Sequence, residues 1–186
     1  IILVVSCGHR PHKYIIGVSQ CSEDIWRDKL NRELKTSEYF NDSIEVHLVS
    51  ADDESKKQIA QINKFVEDGV DLLIVAPNQV NSITSAVSQA FDKGIPVILY
   101  DRKVNSDKYT AFIGGDNYNI GKAMGHFISR QLQGNGKVVE IRGLEGSSPA
   151  EERHRGFMDG IKDYPDIRLV ASEAGNWKEE SGIQVM

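Results

Sequence analysis

The sequence has few cysteines, no excess of positive charge and no long apolar run, and each shortage excludes a class of protein. Two cysteines among 186 residues are too few for a framework of disulfides. A net charge of −5, without a cluster of lysines and arginines, argues against nucleic acid as a partner. No stretch approaches the roughly 18 apolar residues of a membrane-spanning helix. The apolar content of 40% still suffices for a buried core, so we expect a globular protein.

Motifs of catalysis and nucleotide binding are also missing. The turn after the first predicted strand, Gly17 to Glu23, lacks the glycine-rich dinucleotide fingerprint, and Arg142 to Ser148 lacks the Gly-Lys pair of a phosphate-binding loop. There is no Gly-x-Ser-x-Gly elbow, and the histidines lack the spacing of zinc ligands. We therefore expect a binding module without enzymatic activity, cofactor or metal. An enzyme on the same architecture is the less favoured alternative, since fold does not determine function.

Residues 1–12 read as a tail that precedes the folded region. The apolar run Ile1 to Val5 leads through Ser6 into Cys7, which resembles the processing site of a bacterial lipoprotein. This pattern predicts export to the periplasm and a membrane anchor, with Cys7 either lipidated or part of a removed signal. The alternative is a first β-strand, which Gly8 to His12 would break immediately. We do not expect a bridge from Cys7 to Cys21, because Cys7 lies in this tail.

Apolar runs alternate with helical patterns along the rest of the chain, which predicts an α/β fold with parallel sheets flanked by helices. The predicted strands are Tyr14–Ser19, Ile44–Val49, Asp71–Ala76, Ile95–Leu99, Tyr109–Gly114, Lys137–Arg142 and Ile167–Ala171. The predicted helices are Asp24–Phe40, Glu54–Glu67, Val80–Asp92, Pro149–Lys162 and one that ends near Leu132 and is capped by Asp116 or Asn117.

The pattern restarts near residue 116, which predicts two lobes. We expect an N-terminal lobe over residues 13–116 and a partial C-terminal lobe over residues 117–186. The second series has too few strands and helices to cover both faces of a sheet, so we expect further chain beyond Met186. Gly69 and Gly94 follow helical patterns at positions that favour a left-handed cap.

Tyr100-Asp101-Arg102 is the most informative local feature. It follows an apolar strand at the end that faces the ligand crevice in a twisted parallel sheet. A carboxylate that accepts hydrogen bonds beside a guanidinium that donates two suits neighbouring hydroxyls of a small polyol. The alternative is a salt bridge that merely closes the strand.

Several ordered motifs resemble the type I periplasmic sugar-binding proteins, and in particular their ribose-binding branch. They are Ile16-Gly17-Val18-Ser19 with Trp26, Asp71 to Pro77, Gly94-Ile95-Pro96-Val97 into Asp101-Arg102, Gly114 to Asn117, and Gly143 to Phe157. The resemblance runs from about Tyr14 to the end of the chain. It implies two Rossmann-like lobes with a sugar bound between them, an architecture shared by the effector domains of LacI-type regulators.

This resemblance implies a set of ligand-binding residues from both lobes. They are Ser19, Glu23, Trp26, Asp101 and Arg102 in the first lobe, and Arg153 and Trp177 in the second. Ala76 and Glu23 stand where ribose binders carry asparagine, and Asn78 is near enough to compensate for Ala76. The alternatives are that both tryptophans are core residues, that Arg153 pairs with Glu152, and that Glu23 is an acid of the first helical turn.

The same resemblance implies that a bound sugar, a pentose or hexose such as ribose or fructose, favours closure of the lobes, which a partner then senses. Ile16 to Arg27 resembles the sensor domains of hybrid two-component histidine kinases that detect monosaccharides. The alternatives are the binding protein of a sugar ABC transporter, with a membrane permease as partner, and a LacI-type effector domain. A regulator would need a helix-turn-helix before Tyr14, where the export-like tail stands. A homodimer of the parent protein is left open.

Overall fold

The computed structural model describes residues 13–186, so the predicted tail with Cys7 lies outside the described residues. The first sheet has five parallel strands in the order β2-β1-β3-β4-β5. The strands are β1 Tyr14–Gln20, β2 Ile44–Ser50, β3 Leu72–Val75, β4 Val97–Tyr100 and β5 Ala111–Ile113. The helices between them are α1 Ile25–Tyr39, α2 Ser55–Asp68 and α3 Val80–Asp92.

The core of this sheet is aliphatic, as its apolar strands predicted. Leu73, Val75 and Leu99 are fully buried in the sheet, and Ile62 and Ile83 of the flanking helices pack against them. Burial of each such side chain contributes about 1.5–3 kcal/mol. This core holds the carboxyl ends of the strands at one edge, where functional residues of parallel sheets lie.

The second series of elements begins directly after β5. It consists of α4 Asn117–Gln131, β6 Asn135–Arg142, α5 Ser148–Ile161, β7 Asp166–Ala174 and α6 Glu179–Val185. Strands β6 and β7 pair in parallel as a second sheet, and Phe157, Ile161 and Ile167 form its buried core. The predicted division near residue 116 falls between β5 and α4. This arrangement brings the carboxyl ends of β6 and β7 to face those of the first sheet.

Most predicted boundaries agree with the structure to within two residues. Strand β6 begins at Asn135 rather than at the predicted Lys137, and Gly134 before it has the positive φ of a turn, at 79°. The left-handed positions predicted at Gly69 and Gly94 are confirmed, with φ of 69° and 85°. Gly69 ends α2 as its C-cap.

Helices α4 and α5 pack with their backbones in direct contact. A Cβ atom at Gly121 would lie 2.0 Å from the carbonyl oxygen of Arg153, and one at Gly156 would lie 2.0 Å from that of Tyr118. Gly125 and Gly160 are similarly crowded by the opposite helix. Each helix thus presents two glycines four residues apart, a pattern that permits close helix approach. The contact determines where α5, and with it Arg153, lies relative to α4.

Two further properties concern residues 13–186 alone. Cys21 is fully buried with a free thiol. None of the helices there combines the length and apolar character that crossing a membrane requires.

Candidate functional site

A cavity of about 490 Å³ lies between the carboxyl ends of the strands of both lobes. Its volume is within the range of about 300–1,000 Å³ that is usual for small-molecule sites. Six of the eight residues predicted from the sequence line it: Glu23, Trp26, Asp101, Arg102, Arg153 and Trp177. The fold therefore brings together side chains that are up to 154 positions apart in the sequence, from Glu23 to Trp177.

Ser19 and Asn78 are the two predicted residues that do not line this cavity. Ser19 is fully buried, and its Oγ donates to Oε1 of Gln61 at 3.2 Å. Asn78 is 2% exposed, and its Nδ2 donates to the carbonyl oxygen of Asp53 at 2.8 Å and to Oγ of Ser55 at 3.1 Å. Both side chains lie behind the cavity wall rather than on it, so direct ligand contact stays an untested prediction for them.

Asn78 instead supports Arg102 through its backbone. Arg102 is 4% exposed, and its Nη1 donates to the carbonyl oxygen of Asn78 at 3.0 Å. The ion pair between Nε of Arg102 and Oδ2 of Asp101 is longer, at 3.8 Å. Arg102 is thus held chiefly by the neutral carbonyl oxygen of Asn78. Its guanidinium has further N–H donors at the cavity.

Arg27 is a cavity residue that the sequence interpretation missed. It lies in the first turn of α1 with 3% exposure, and its Nη2 donates to Oδ2 of Asp101 at 3.1 Å. Its Nε donates to Oγ of Ser22 at 3.0 Å, and its backbone N–H donates to the N-cap residue Asp24 at 2.8 Å. The available signal was its place three residues after that cap, at the carboxyl end of β1, where a helix begins beside the crevice.

The charge of Arg27 persists despite its burial. Burial works to lower the pKa of Arg27, but Cys21, Tyr100 and Asp101 act in the opposite direction and raise the pKa overall. Burial also raises the pKa of Tyr100, and Arg27 only partly opposes this. Among residues 13–186, neither Nη1 of Arg27 nor Oη of Tyr100 has a hydrogen bond of good geometry. Each group nevertheless shifts the pKa of the other. The carboxylate of Asp101 therefore faces the cavity with a fixed positive charge behind it.

The second lobe contributes a cation and an aromatic ring that contact each other. Nε of Arg153 donates to Oδ1 of the buried Asn117 at 2.9 Å, and its guanidinium carbon lies 5.6 Å from the ring centroid of Trp177. Trp177 is 48% exposed, so it is not a core residue. Glu152 pairs with Lys103 at 2.8 Å, which leaves Arg153 for the cavity.

Asp116 and Asn117 have separate tasks that the sequence left open. Oδ1 of Asp116 accepts from the backbone N–H of Asn119 at 3.0 Å, which makes Asp116 the N-cap of α4. Asn117 is 3% exposed and holds Arg153 instead. Asp116 accepts from the backbone N–H of Asn119 through its side chain and from that of Ile120 through its carbonyl oxygen. Both donors of the first turn of α4 are thereby satisfied, which favours the start of the helix here.

Unfavourable backbone conformations concentrate at the cavity. Asp53, Asp101, Asn176 and Trp177 all line it, and their φ angles are 64°, 61°, 54° and 60°. A non-glycine residue in the left-handed region costs on the order of 1–3 kcal/mol, and such residues cluster at binding sites. Only two other non-glycine residues in the range 13–186 have positive φ, Asp52 and Gln133.

Contacts between the lobes surround this cavity. Nζ of Lys178 lies 3.2 Å from Oδ2 of Asp53, and both side chains line the cavity. The backbone N–H of Val80 at the start of α3 donates to the carbonyl oxygen of Gly146 at 2.8 Å. The backbone N–H of Lys103 donates to Oγ of Ser148 at 2.7 Å. The two lobes are therefore in direct contact around the cavity.

A second cavity of about 520 Å³ lies beside α1, and it is slightly larger than the first. Its floor is formed mainly by Leu30, Ile74, Ile98 and Ile113. Lys29, Glu33 and Asp101 also line it, but its wall is mainly apolar, with fewer of the polar groups that give a small-molecule site its specificity. The cavity between the lobes is therefore the better candidate.

Comparison with known proteins identifies the family. A family model described as a periplasmic binding protein domain matches residues 17–186. The chain belongs to this family. The galactofuranose-binding protein YtfQ of Escherichia coli K12 is 32% identical over 176 residues, which cover 92% of this chain and 55% of that protein. The ribose import binding protein RbsB of Bacillus subtilis 168 is 30% identical over 143 residues, with coverages of 77% and 46%.

A solved structure supports the fold of this periplasmic binding protein domain. The fructose-binding periplasmic domain of the hybrid two-component system BT1754 is 46% identical, with a TM-score of 0.86 over 90% of this chain and 56% of that chain. The type I fold predicted from the sequence is thereby confirmed. The chain spans about half the length of the relatives it matches, from 46% to 56%.

Proposed function

We propose that this chain binds a small sugar, a pentose or hexose such as fructose or ribose, in the cavity between its lobes. The observation that carries the proposal is the convergence there of two exposed aromatic faces with charged donors and acceptors. Trp26 and Trp177 offer flat apolar area to the C–H faces of a sugar ring. Carboxylates and guanidinium groups suit its hydroxyls, because each hydroxyl both donates and accepts.

Each polar group has a distinct role in this proposal. Asp101 accepts from neighbouring hydroxyls, and the hydrogen bond from Arg27 behind it orients the carboxylate. Arg102 and Arg153 donate to sugar oxygens from opposite lobes. Glu23 accepts from a further hydroxyl, since Asp24 and not Glu23 caps α1. A ligand that contacts both lobes binds the closed form more tightly and therefore shifts the hinge equilibrium toward closure.

A thermal-shift screen of the full-length protein against monosaccharides and disaccharides tests sugar binding. A ligand at 100 times its dissociation constant stabilises the folded state by about 2.7 kcal/mol. We expect one sugar or a few related sugars to raise the melting temperature. A folded protein that no sugar stabilises would contradict the proposal.

Two substitutions then test the site by calorimetric titration with the sugar identified. Arg102→Ala and Trp177→Ala are each expected to weaken binding by about 1–4 kcal/mol, as for a charged hydrogen bond and an aromatic contact that the bound sugar buries. Arg130→Ala is the matched control, because Arg130 is exposed at the end of α4 and outside the cavity. Unchanged affinity in both cavity variants would overturn the site assignment.

We further propose that the parent protein is a membrane-anchored periplasmic sensor of a hybrid two-component system. Support comes from the 46% identity to the fructose-binding domain of BT1754. In this role, closure is transmitted to a membrane-linked histidine kinase. Sugar-dependent incorporation of phosphate from labelled ATP, measured on the full-length protein in membranes, is the expected result.

The second candidate is the solute-binding protein of a sugar ABC transporter, with a permease as partner. The observation in its favour is the similarity to the galactofuranose-binding protein YtfQ and the ribose import binding protein RbsB. Absence of sugar-dependent phosphorylation, together with loss of sugar uptake when the gene is deleted, would favour this candidate over the sensor.

A further inference from the structure

The indole of Trp177 lies directly against the backbone of Gly143. Gly143 follows the last residue of β6, and a Cβ atom built on it would lie 1.9 Å from Cζ2, 2.1 Å from Cε2 and 2.2 Å from Cη2 of Trp177. Real carbon contacts occur at about 3.5–4.0 Å. No residue with a side chain fits at position 143 while the ring stays where it is. The φ angle of Gly143 is not in the left-handed region, so the restriction is steric rather than conformational.

A tight turn over Gly175 to Lys178 positions the Trp177 ring against Gly143. The backbone N–H of Lys178 donates to the carbonyl oxygen of Gly175 at 2.9 Å, and both central residues of the turn, Asn176 and Trp177, have positive φ. The N–H of Gly175 donates to the carbonyl oxygen of Arg142 at 2.8 Å, which ties the turn to the end of β6. The ring of Trp177 is therefore restrained by the turn on one side and by Gly143 on another.

The same ring contacts Arg153, which also lines the cavity. The guanidinium carbon of Arg153 lies 5.6 Å from the ring centroid, within the range of about 6 Å of a cation–π contact. Displacement of the ring therefore also changes its contact with Arg153. Because Trp177 is half-exposed and lines the cavity, a displaced ring can move into the cavity space.

We infer that Gly143 is a positioning residue, whose lack of a side chain determines how far the Trp177 ring projects into the cavity and hence which ligands fit. This inference rests on the proposed sugar-binding function and assigns to Gly143 a role in its specificity. Gly143→Ala displaces the ring by on the order of 1.5 Å, the distance needed to restore normal contact. A displacement of that size is enough to disturb a binding constellation.

The first test needs no ligand. Trp26 and Trp177 are the only tryptophans, so a Trp26→Phe background leaves Trp177 as the single indole fluorophore. In that background we expect Gly143→Ala to red-shift the emission and to increase quenching by acrylamide. Gly182→Ala is the matched control, because a Cβ atom at Gly182 in α6 meets nothing within 4 Å. Identical emission and quenching in Gly143→Ala and its parent would overturn the inference.

The second test measures affinity for the sugar that stabilises the wild-type protein at full length. Gly143→Ala is expected to weaken binding at least tenfold, and Gly182→Ala to stay within about twofold, as for surface changes away from special features. In a Trp177→Ala background, Gly143→Ala should cause no further loss, because residues that act as a unit are not additive. A full additional loss in that background would overturn the positioning role.

If Gly143→Ala does not fold, a third comparison tests the inference. Trp177→Phe removes the indole atoms nearest to Gly143, so the double variant Gly143→Ala/Trp177→Phe is expected to fold and to melt less than 2 °C below Trp177→Phe alone, on the order expected for a small free-energy change. A much larger loss would place the effect of Gly143 outside the ring contact and overturn the inference. If the wild-type protein binds no sugar, the proposed function fails, and the emission test still decides the role of Gly143.

Discussion

Nη2 of Arg27 donates to Oδ2 of Asp101 at 3.1 Å and joins the first turn of α1 to the end of β4. The guanidinium is buried, whereas the side chain of Asp101 is 35% exposed toward the cavity. A buried donor thus supports an acceptor that stays accessible to a ligand. The strained φ of Asp101, 61°, is tolerated because this contact and the sheet edge determine its position.

Loss of this contact should reduce both stability and ligand affinity. Arg27→Ala removes the charged hydrogen bonds to Asp101 and Ser22, so we expect the free energy of unfolding to fall by about 1.5–3 kcal/mol. Urea denaturation measures this change. Lys29→Ala is the control on the same helix, because its ion pair with Glu33 is exposed and such pairs contribute little to stability. Equal losses in the two variants would contradict the assigned role of Arg27.

The ion pair between Lys178 and Asp53 should favour closure in a salt-dependent manner. Both side chains are exposed, and pairs of this kind contribute about 0.2–1 kcal/mol. Lys178→Ala is therefore expected to weaken ligand binding by at most about fivefold at low salt. The difference from the wild type should shrink near 1 M salt, where the screening length falls to about 3 Å. Titrations at both salt concentrations, with the exposed Lys56→Ala as control, check this; a salt-independent effect would point to another cause.

The backbone contact of α4 and α5 should tolerate no added methyl group. Gly156→Ala forces a Cβ atom against the carbonyl oxygen of Tyr118, so we expect a loss of roughly 1–3 kcal/mol or more in unfolding free energy. Gly115→Ala is the control, since its Cβ atom would meet only the end of the Ile120 side chain at 3.5 Å. Thermal unfolding distinguishes the two, and a Gly156→Ala protein as stable as the control would be inconsistent with this packing.

The N-cap of α4 should contribute a pH-dependent part of the stability. Hydrogen bonds from the backbone and side chain of Asn119 lower the pKa of Asp116. A lowered folded-state pKa means that the contribution is fully present above the unfolded value of about 3.9 and is lost as the pH falls through the lower folded value.

Substitutions at Asp116 separate its charge from its geometry. Asp116→Ala should be less stable than the wild type at pH 7. This difference in stability should become smaller below a pH of about 4. Asp116→Asn keeps a capping oxygen without titrating, so it should lie near the wild type at pH 7. Melting curves at pH 3 and 7 check both expectations; a gap that widens on acidification would refute the capping role.

The order of strands and helices could be predicted because it follows from local chemistry. Apolar runs define buried parallel strands, and Gly69 ends α2 because the left-handed cap disfavours other residues. The end of β4 was predicted at Leu99, one residue before its observed end at Tyr100, because Asp101 and Arg102 interrupt an apolar run. The resemblance then supplied six of the fourteen residues that line the cavity, including Trp26 and Trp177.

Other parts of the site could not be predicted, because they depend on side-chain direction after the lobes have packed. The resemblance implied a cleft position for Ser19, but in the folded protein its Oγ donates to Oε1 of Gln61. Two polar residues in succession, Asp116 and Asn117, were equivalent in sequence, and only the approach of α5 made Asn117 the partner of Arg153.

The sequence by itself therefore determined the α/β order, the helix ends and the edge of the sheet at which polar residues gather, because these depend on hydrophobic period and backbone preference. Only the tertiary structure decided that Arg27 supports Asp101, 74 positions away, and that the Trp177 ring packs against the backbone of Gly143. Such pairs arise from the close packing of lobes and turns, and contacts of that kind leave no periodic trace in the chain.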